Sequence, residues 1–404
     1  MVILKLLLIF VLVMAVISRK KPIYLAISAA TILAWLLYAV PFADGLSAVI
    51  KGCFCWDTIS LIFVVYVISL LQSMMLGRNA IERARLSVSS LFNNRWVDCA
   101  AVPIFIGMLP TPNAAFIAGD IVKASAGDCL DNDEKAVVTS YFRHVSESFM
   151  PTYNSILTAL VLSGIAAGDF VLAMLPIVAV IIISGCFWLL RGKVPMSTGH
   201  SPSSNRRSDI LGIFIGLWPI LLIIILVVSF KFHVWLSSLI AVAAYFLVHR
   251  FSFSEIKPMF KEAVQINQYL NIITIMSFKE LLAASGAVDS MTAWFSALPL
   301  PSFLVFAIMF FFGSIVSGST AMIVLCLPLA MATVPDAGVS LLALLMGVAY
   351  AAMQLSPTHL CLSLTADYFG ISLGRLFRKT LPAVITTVLF TLVYYLVLTH
   401  LFNI

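Results

Sequence analysis

Residues 142–154 read FRHVSESFMPTYN and cut through an apolar run that otherwise extends from about 136 to 166. Pro151 has no donor to give and frees the carbonyl of Glu147, four residues back, so a helix entering this run cannot continue through it unbroken. Inside a bilayer, unpaired backbone polarity is tolerated only where it meets protein, a ligand or a water-lined cavity. A second stretch, YAAMQLSPTHL at 350–360, interrupts the run 340–370 in the same way. One offset of 206 residues, without a gap, lays Pro151 and Thr152 on Pro357 and Thr358, and Gly164 and Ile165 on Gly370 and Ile371. It also lays Phe105 on Phe311, Gly107 on Gly313 and Ala115 on Ala321. The chain reads as two copies of one unit.

The composition around these stretches demands a membrane. Of the 404 residues 62% are hydrophobic and 10% charged, against about 45–50% and about 25% in soluble domains, which excludes a water-soluble fold. The formal charge of +6 is dispersed through short loops rather than gathered on one face, so no nucleic-acid partner is expected. Seven cysteines, at 53, 55, 99, 129, 186, 326 and 361, have neither metal-ligand nor disulfide-framework spacing; no metal and no cofactor are expected. Residues 2–17 lack the basic leader and small-residue cleavage site of a signal peptide, and are read as a first span.

Ten segments suit the roughly 20 apolar residues of a spanning helix: 2–17, 22–41, 56–76, 136–166, 169–190, 210–229, 232–249, 264–285, 340–370 and 380–402. Two further apolar stretches carry turn residues at mid-length and read as re-entrant hairpins. One is 99–125, with Pro110, Thr111, Pro112 and Asn113 at its tip; the other is 299–334, with Ser317, Gly318, Ser319 and Thr320. Loop by loop, nineteen Lys and Arg fall on one side and three (Lys5, Lys51, Lys231) on the other, which makes the richer side cytoplasmic and puts both termini outside. The expected fold is an all-α membrane protein of about ten transmembrane helices in two repeats. Residues 1–190 form the first repeat, 191–209 a cytoplasmic linker and 210–404 the second. Five spans in each repeat force the second to be inverted.

Inverted repeats with matched interruptions point to the binding site of a secondary transporter. Helices that begin at a break present N–H groups and a positive dipole end to an anion, while carbonyls and hydroxyls at the break suit a small cation. The candidate substrate residues are Thr111, Pro112, Asn113, Thr152, Tyr153, Asn154, Ser317, Gly318, Ser319, Thr320, Ser356, Thr358 and His359. Asn113, Thr152, Ser319, Thr358 and Glu147 are the candidate coupling-ion residues, for Na+ or H+. Ionisable groups inside spans are costly and therefore candidates too: Arg143, His144, Glu147, Lys279, Glu280 and Asp367. Arg143 and Glu147, four apart, pair along one helix face. Asp367 is expected to pair with Arg375 or Arg378. Phosphate-binding glycine loops, zinc-protease patterns and nucleophile elbows are absent, so no enzyme is expected.

The Phe142-Arg143-His144 string, the hairpin tip Pro110 to Asn113 and the run from Leu355 to Leu362 with Ala366, Asp367, Tyr368 and Phe369 resemble an uncharacterised prokaryotic integral-membrane family of the ion transporter superfamily. The resemblance covers nearly the whole chain. It implies relatives that carry dicarboxylates, citrate or gluconate, built from inverted repeats with paired re-entrant hairpins and working as homodimers by an elevator motion. It further implies that the first two spans of each half are scaffold and that 77–98 and 286–298 are arms to a moving domain. The expected activity is secondary transport of a small organic anion, in contact with membrane lipids of the bacterial inner membrane. A flippase of an anionic lipid-linked headgroup, which calls for a lateral lipid-open groove, is one alternative. A non-transporting scaffold, which calls for breaks packed solid, is another.

Overall fold

The computed structural model describes residues 2–19, 21–108, 114–197, 205–288 and 299–401. Among them the secondary structure is helical, apart from one isolated bridge between Asn94 and Ser197. The chain begins with α1 (Val2–Ser18), α2 (Ile23–Leu37), α3 (Phe42–Phe54), α4 (Trp56–Gly77) and α5 (Ala80–Phe92). A hairpin pair follows, α6 (Arg95–Gly107) and α7 (Ala114–Ala126), then α8 (Asn132–Arg143), α9 (Asn154–Ser163) and α10 (Ala167–Gly185). After the linker come α11 (Arg206–Val228), α12 (Val234–His249), α13 (Phe253–Glu262) and α14 (Ile266–Ala284). The chain closes with α15 (Ser302–Ser317), α16 (Ser319–Thr333), α17 (Gly338–Met353), α18 (Leu360–Phe369) and α19 (Leu373–Leu401).

Five described segments are long and apolar enough to cross a membrane: Phe42–Gly77, Ala167–Leu190, Arg206–Val228, Pro335–Met353 and Leu373–His400. Large apolar side chains such as Leu36, Leu247, Phe312 and Leu389 point outward, a surface that water penalises and lipid accepts. The protein is an integral membrane protein.

The run 136–166 is interrupted: α8 ends at Arg143, a 3-10 turn covers Val145–Ser148, and α9 starts afresh at Asn154. The run 340–370 divides likewise into α17 and α18. Residues 299–334 form two arms, α15 and α16, that meet at Gly318. The tip of the first hairpin, with Thr111, Pro112 and Asn113, lies outside the described residues. Helix ends recur at the offset of 206: α9 and α18 start and finish that far apart, as do the starts of α8 and α17 and of α10 and α19. Gly164 (φ 70°) and Gly370 (φ 67°), also 206 apart, close α9 and α18 in the left-handed region that favours glycine.

The short helices interlock crosswise, α9 packing on α16 and α18 on α7 and α8. Around them, α14 packs on α2 and α3, α12 on α4, and α5 on α11. Charged loops tie elements together: Lys379 holds Asp131 at 2.9 Å, Lys193 holds Glu134 at 3.0 Å, and Arg78 holds Glu255 at 3.1 Å. Asp131 and Glu134 also form the capping box that starts α8. The expected pairing of Asp367 fails, because Arg375 meets Asp133 at 3.7 Å and Asp367 is exposed. The acidic first turn of α8 supplies the partner of Arg375 instead. The helices α3 and α13 are not anticipated by a search for runs of about 20 apolar residues, since at 13 and 10 residues neither spans a membrane alone.

The α3–α14 contact depends on Gly52, where an added Cβ would lie 2.5 Å from Ser277 Cα. Gly52→Ala should cost about 1–3 kcal/mol through overpacking and lower the melting temperature in detergent. Gly374→Ala, which meets nothing within 4 Å, should leave it unchanged or slightly higher. Equal effects would contradict this packing.

Candidate functional site

Each break is held by the hairpin arm of its own half. The last turn of a helix leaves carbonyls without an intrahelical partner, and the break residues supply donors to them. Ser146 Oγ donates to the Ile104 carbonyl at 2.9 Å, and the Tyr153 hydroxyl donates to the Gly107 carbonyl, both near the end of α6. Gly107 lies so close to the Arg143 carbonyl that a side chain there would collide with backbone. In the second half, Ser356 Oγ donates to the Ile315 carbonyl at 2.7 Å and meets Thr358 Oγ1 at 2.8 Å. Gly318 turns the hairpin at φ 83° and ψ 152°, a conformation essentially confined to glycine. A Cβ there would stand 3.9 Å from Thr358 Oγ1.

The two breaks also meet each other. His144, fully buried at the end of α8, has its Nε2 3.0 Å from Nε2 of His359, the residue that precedes α18. Its Nδ1 lies 2.6 Å from the Ser140 carbonyl. Glu147 Oε1 is 4.0 Å from His144 Nε2 and 3.6 Å from Arg143 Nη1, with the Arg143 side chain only 2% exposed. Cys361 adjoins the Arg143 guanidinium. His144, His359 and Cys361 place one ligand atom each within 4.8 Å of the others.

A cavity of about 520 Å³ opens beside this cluster. Thr152, Tyr153 and Asn154 from the first break, Thr320 from the second hairpin and His359 from the second break line it. Three helices, α9, α16 and α18, begin at Tyr153, Gly318 and His359 without a side-chain cap. Their first N–H groups are therefore available to an occupant. The opposite walls are Ser69, Gln72 and Ser73 of α4, and Gln268 and Asn271 of α14 with Gln265 just before it. Thr152 Oγ1 and Asn271 Oδ1 are buried with no hydrogen-bond partner among the described residues. Buried polar atoms are rarely left so, which marks both as places for a ligand or water.

Other expected residues stand apart from the cavity. The hydroxyls of Ser317 and Ser356 are occupied by the Gly313 and Ile315 carbonyls, and Thr358 is exposed beside Ser356. Ser319 opens α16 one residue before Thr320. Lys279 pairs with Asp57 at 3.9 Å and Glu280 with Lys51 at 2.7 Å, away from the cavity lining. The wall residues of α4 and α14 were missed, although Ser69, Gln72 and Ser73 at i, i+3 and i+4 form a polar stripe in an apolar run, which is a legible signal.

The solved structure of the Alcanivorax borkumensis YdaH transporter, described as having an unusual topology, shares the fold: TM-score 0.53 at 13% identity, covering 88% of this chain and 87% of that one. No curated protein matches the sequence. The model of a family described as "Protein of unknown function (DUF401)" matches residues 2–398.

Removing one partner of a buried ion pair strands the other, whereas replacing both by apolar groups is often nearly neutral. Arg143→Met should thus cost about 3–5 kcal/mol, and Arg143→Met with Glu147→Met should recover most of it. The check is a double-mutant cycle on melting temperature; additive losses would contradict the pairing.

Proposed function

Since the chain belongs to that family of unknown function, we propose its activity from the geometry: it is a secondary active transporter that moves a small organic anion together with a coupling cation. The carrying observation is the cavity on which three uncapped helix N-termini open. Such termini stabilise negative charge through their dipoles and free N–H groups. The side chains around them, Thr152, Asn154, Gln72 and Gln268, are neutral hydrogen-bonding groups that match hydroxyls and carboxylate oxygens rather than a bare apolar ligand. A scaffold with no cargo offers no reason for a cavity at this place, and the transporter of like fold supports the same class.

Two inverted copies, residues 1–190 and 210–404 about the linker 191–209, provide the frame for alternating access. The recurrence of helix ends at one offset supports this frame. So do the long-range ion pairs, which join element ends on a common side, although the charge count left Lys279 inside its span. Lys51–Glu280, Lys279–Asp57 and Lys231–Asp169 lie on the outer side. Arg78–Glu255, Lys193–Glu134, Arg375–Asp133 and Lys379–Asp131 lie on the cytoplasmic side. Leu76, Glu262 and Gln265, at the cytoplasmic ends of α4 and α14, rim the cavity, so this conformation faces inward. An elevator-like displacement of the hairpins and broken helices against α4 and α14 would expose the site on the other side. Homodimers in the bacterial inner membrane, with Na+ or H+ as the coupling ion and Glu147 as the proton candidate, complete the proposal.

A thermal-shift screen of carboxylates and sugar acids, with and without Na+, tests it. An anion at about 100 times its Kd stabilises the folded state by about 2.7 kcal/mol. Thr152→Val and Asn154→Ala should abolish that shift while leaving the ligand-free melting temperature near wild type. Absence of any anion-dependent shift, or full shifts in both variants, would remove the site. In uptake assays, Glu147→Gln should flatten the pH dependence if H+ drives transport; an unaltered profile assigns the coupling to another ion.

A further inference from the structure

We propose that His144, His359 and Cys361 bind a borderline-soft divalent metal ion of the Zn2+ type at the point where the two helix breaks touch. This goes beyond the transport reading and does not depend on it. The three ligand atoms lie within 4.8 Å of one another. They are imidazole nitrogen and thiol sulfur, which select Zn2+ and its neighbours and do not suit Na+ or Ca2+, whose ligands are oxygens. Two imidazole nitrogens on one tetrahedral Zn2+, each at about 2.0–2.1 Å, stand about 3.3 Å apart. The His144 and His359 Nε2 atoms are separated by 3.0 Å, within a few tenths of that spacing. The Cys361 sulfur, within 4.8 Å of both nitrogens, would supply the third ligand.

The surroundings of His144 are those of a metal ligand. Its Nδ1 donates to the Ser140 carbonyl at 2.6 Å, which fixes the tautomer and leaves the Nε2 lone pair aimed at His359. An outer hydrogen bond of this kind orients and strengthens a metal-bound histidine. In the metal-free form the His359 Nε2–H donates to the His144 Nε2 lone pair at 3.0 Å, and a metal ion would take the place of that shared proton. Arg143 and Glu147 offset each other at 3.6 Å, so Zn2+ with the Cys361 thiolate leaves one positive charge, which an anionic fourth ligand would offset. His359 also lines the cavity, which gives the ion a path of entry and gives an anion access to a fourth coordination position. Three protein ligands and one open position is the pattern of a zinc site that accepts an exogenous ligand.

The test uses the purified full chain in detergent, stripped with EDTA and titrated with Co2+, and then with Zn2+ against a chromophoric chelator. The expected result is one saturable equivalent with the visible spectrum of tetrahedral Co2+ and a thiolate charge-transfer band. Cys361→Ser should delete that band, and His359→Gln should weaken Zn2+ binding by more than about 100-fold, since even outer-sphere changes cost 10–100-fold. Cys129→Ser, far from the cluster, should alter neither. Melting curves establish that each variant is folded. Failure of monodisperse wild-type protein to bind one equivalent overturns the proposal, as does a Co2+ spectrum indifferent to both ligand substitutions. Stoichiometric metal binding without any anion-dependent stabilisation would count against the transport reading alone, and the converse against the metal site alone.

Discussion

A peptide group that loses its helical partner in a hydrocarbon medium has no water to turn to, and each such loss costs several kcal/mol. This chain incurs the loss at four described places, the ends of α6, α8, α15 and α17, and the architecture is arranged around repairing it. Carbonyls at the ends of α6 and α15 are met by Tyr153, Ser146 and Ser356 from the breaks. The N–H groups that open α9, α16 and α18 receive no such repair from side-chain caps. The imbalance is between acceptors that meet side-chain donors and helix starts that lack side-chain caps, with Tyr153, Asn154, Thr320 and His359 of those starts on the cavity wall. An unfilled demand for negative charge is the physical content of the anion reading.

The crosswise packing explains why the repair needs both halves. Because α9 rests on α16 and α18 on α7 and α8, neither broken span is supported by its own repeat alone. The same interlock brings His144 to His359 across 215 residues of sequence. The arrangement is not symmetric in chemistry. The first break contributes Arg143 and Glu147, while the corresponding positions of the second, Ala349 and Met353, are apolar. Charge is concentrated on one side of the contact and hydrogen-bonding groups on both.

The breaks were legible in the sequence because proline and a polar cluster inside an apolar run have few explanations, and because Pro151-Thr152 and Pro357-Thr358 share one offset. The Arg143–Glu147 pair followed from helical spacing. What stayed hidden depends on distance in sequence. The cavity walls on α4 and α14 carry ordinary Ser, Gln and Asn residues whose inward direction is set by packing against α2, α3 and α12. The His144, His359 and Cys361 cluster has no local spacing to recognise, since its members come from opposite halves. The short helices α3 and α13 escaped a search tuned to full spans, and the partner of Arg375 was misjudged because proximity along the chain stood in for proximity across helices.

The central claim is that both halves contribute walls to one polar cavity that opens to the cytoplasm in this conformation. The most direct measurement is the sidedness of labelling by a membrane-impermeant maleimide, in a cysteine-depleted background, of single cysteines at Gln72, Asn154, Gln268 and Thr320. All four positions should label in inside-out vesicles and resist labelling in right-side-out vesicles, and an anion that binds should protect the cysteine at Thr320. Labelling of the first-half and second-half positions from opposite sides, or of none from either side, would contradict the account.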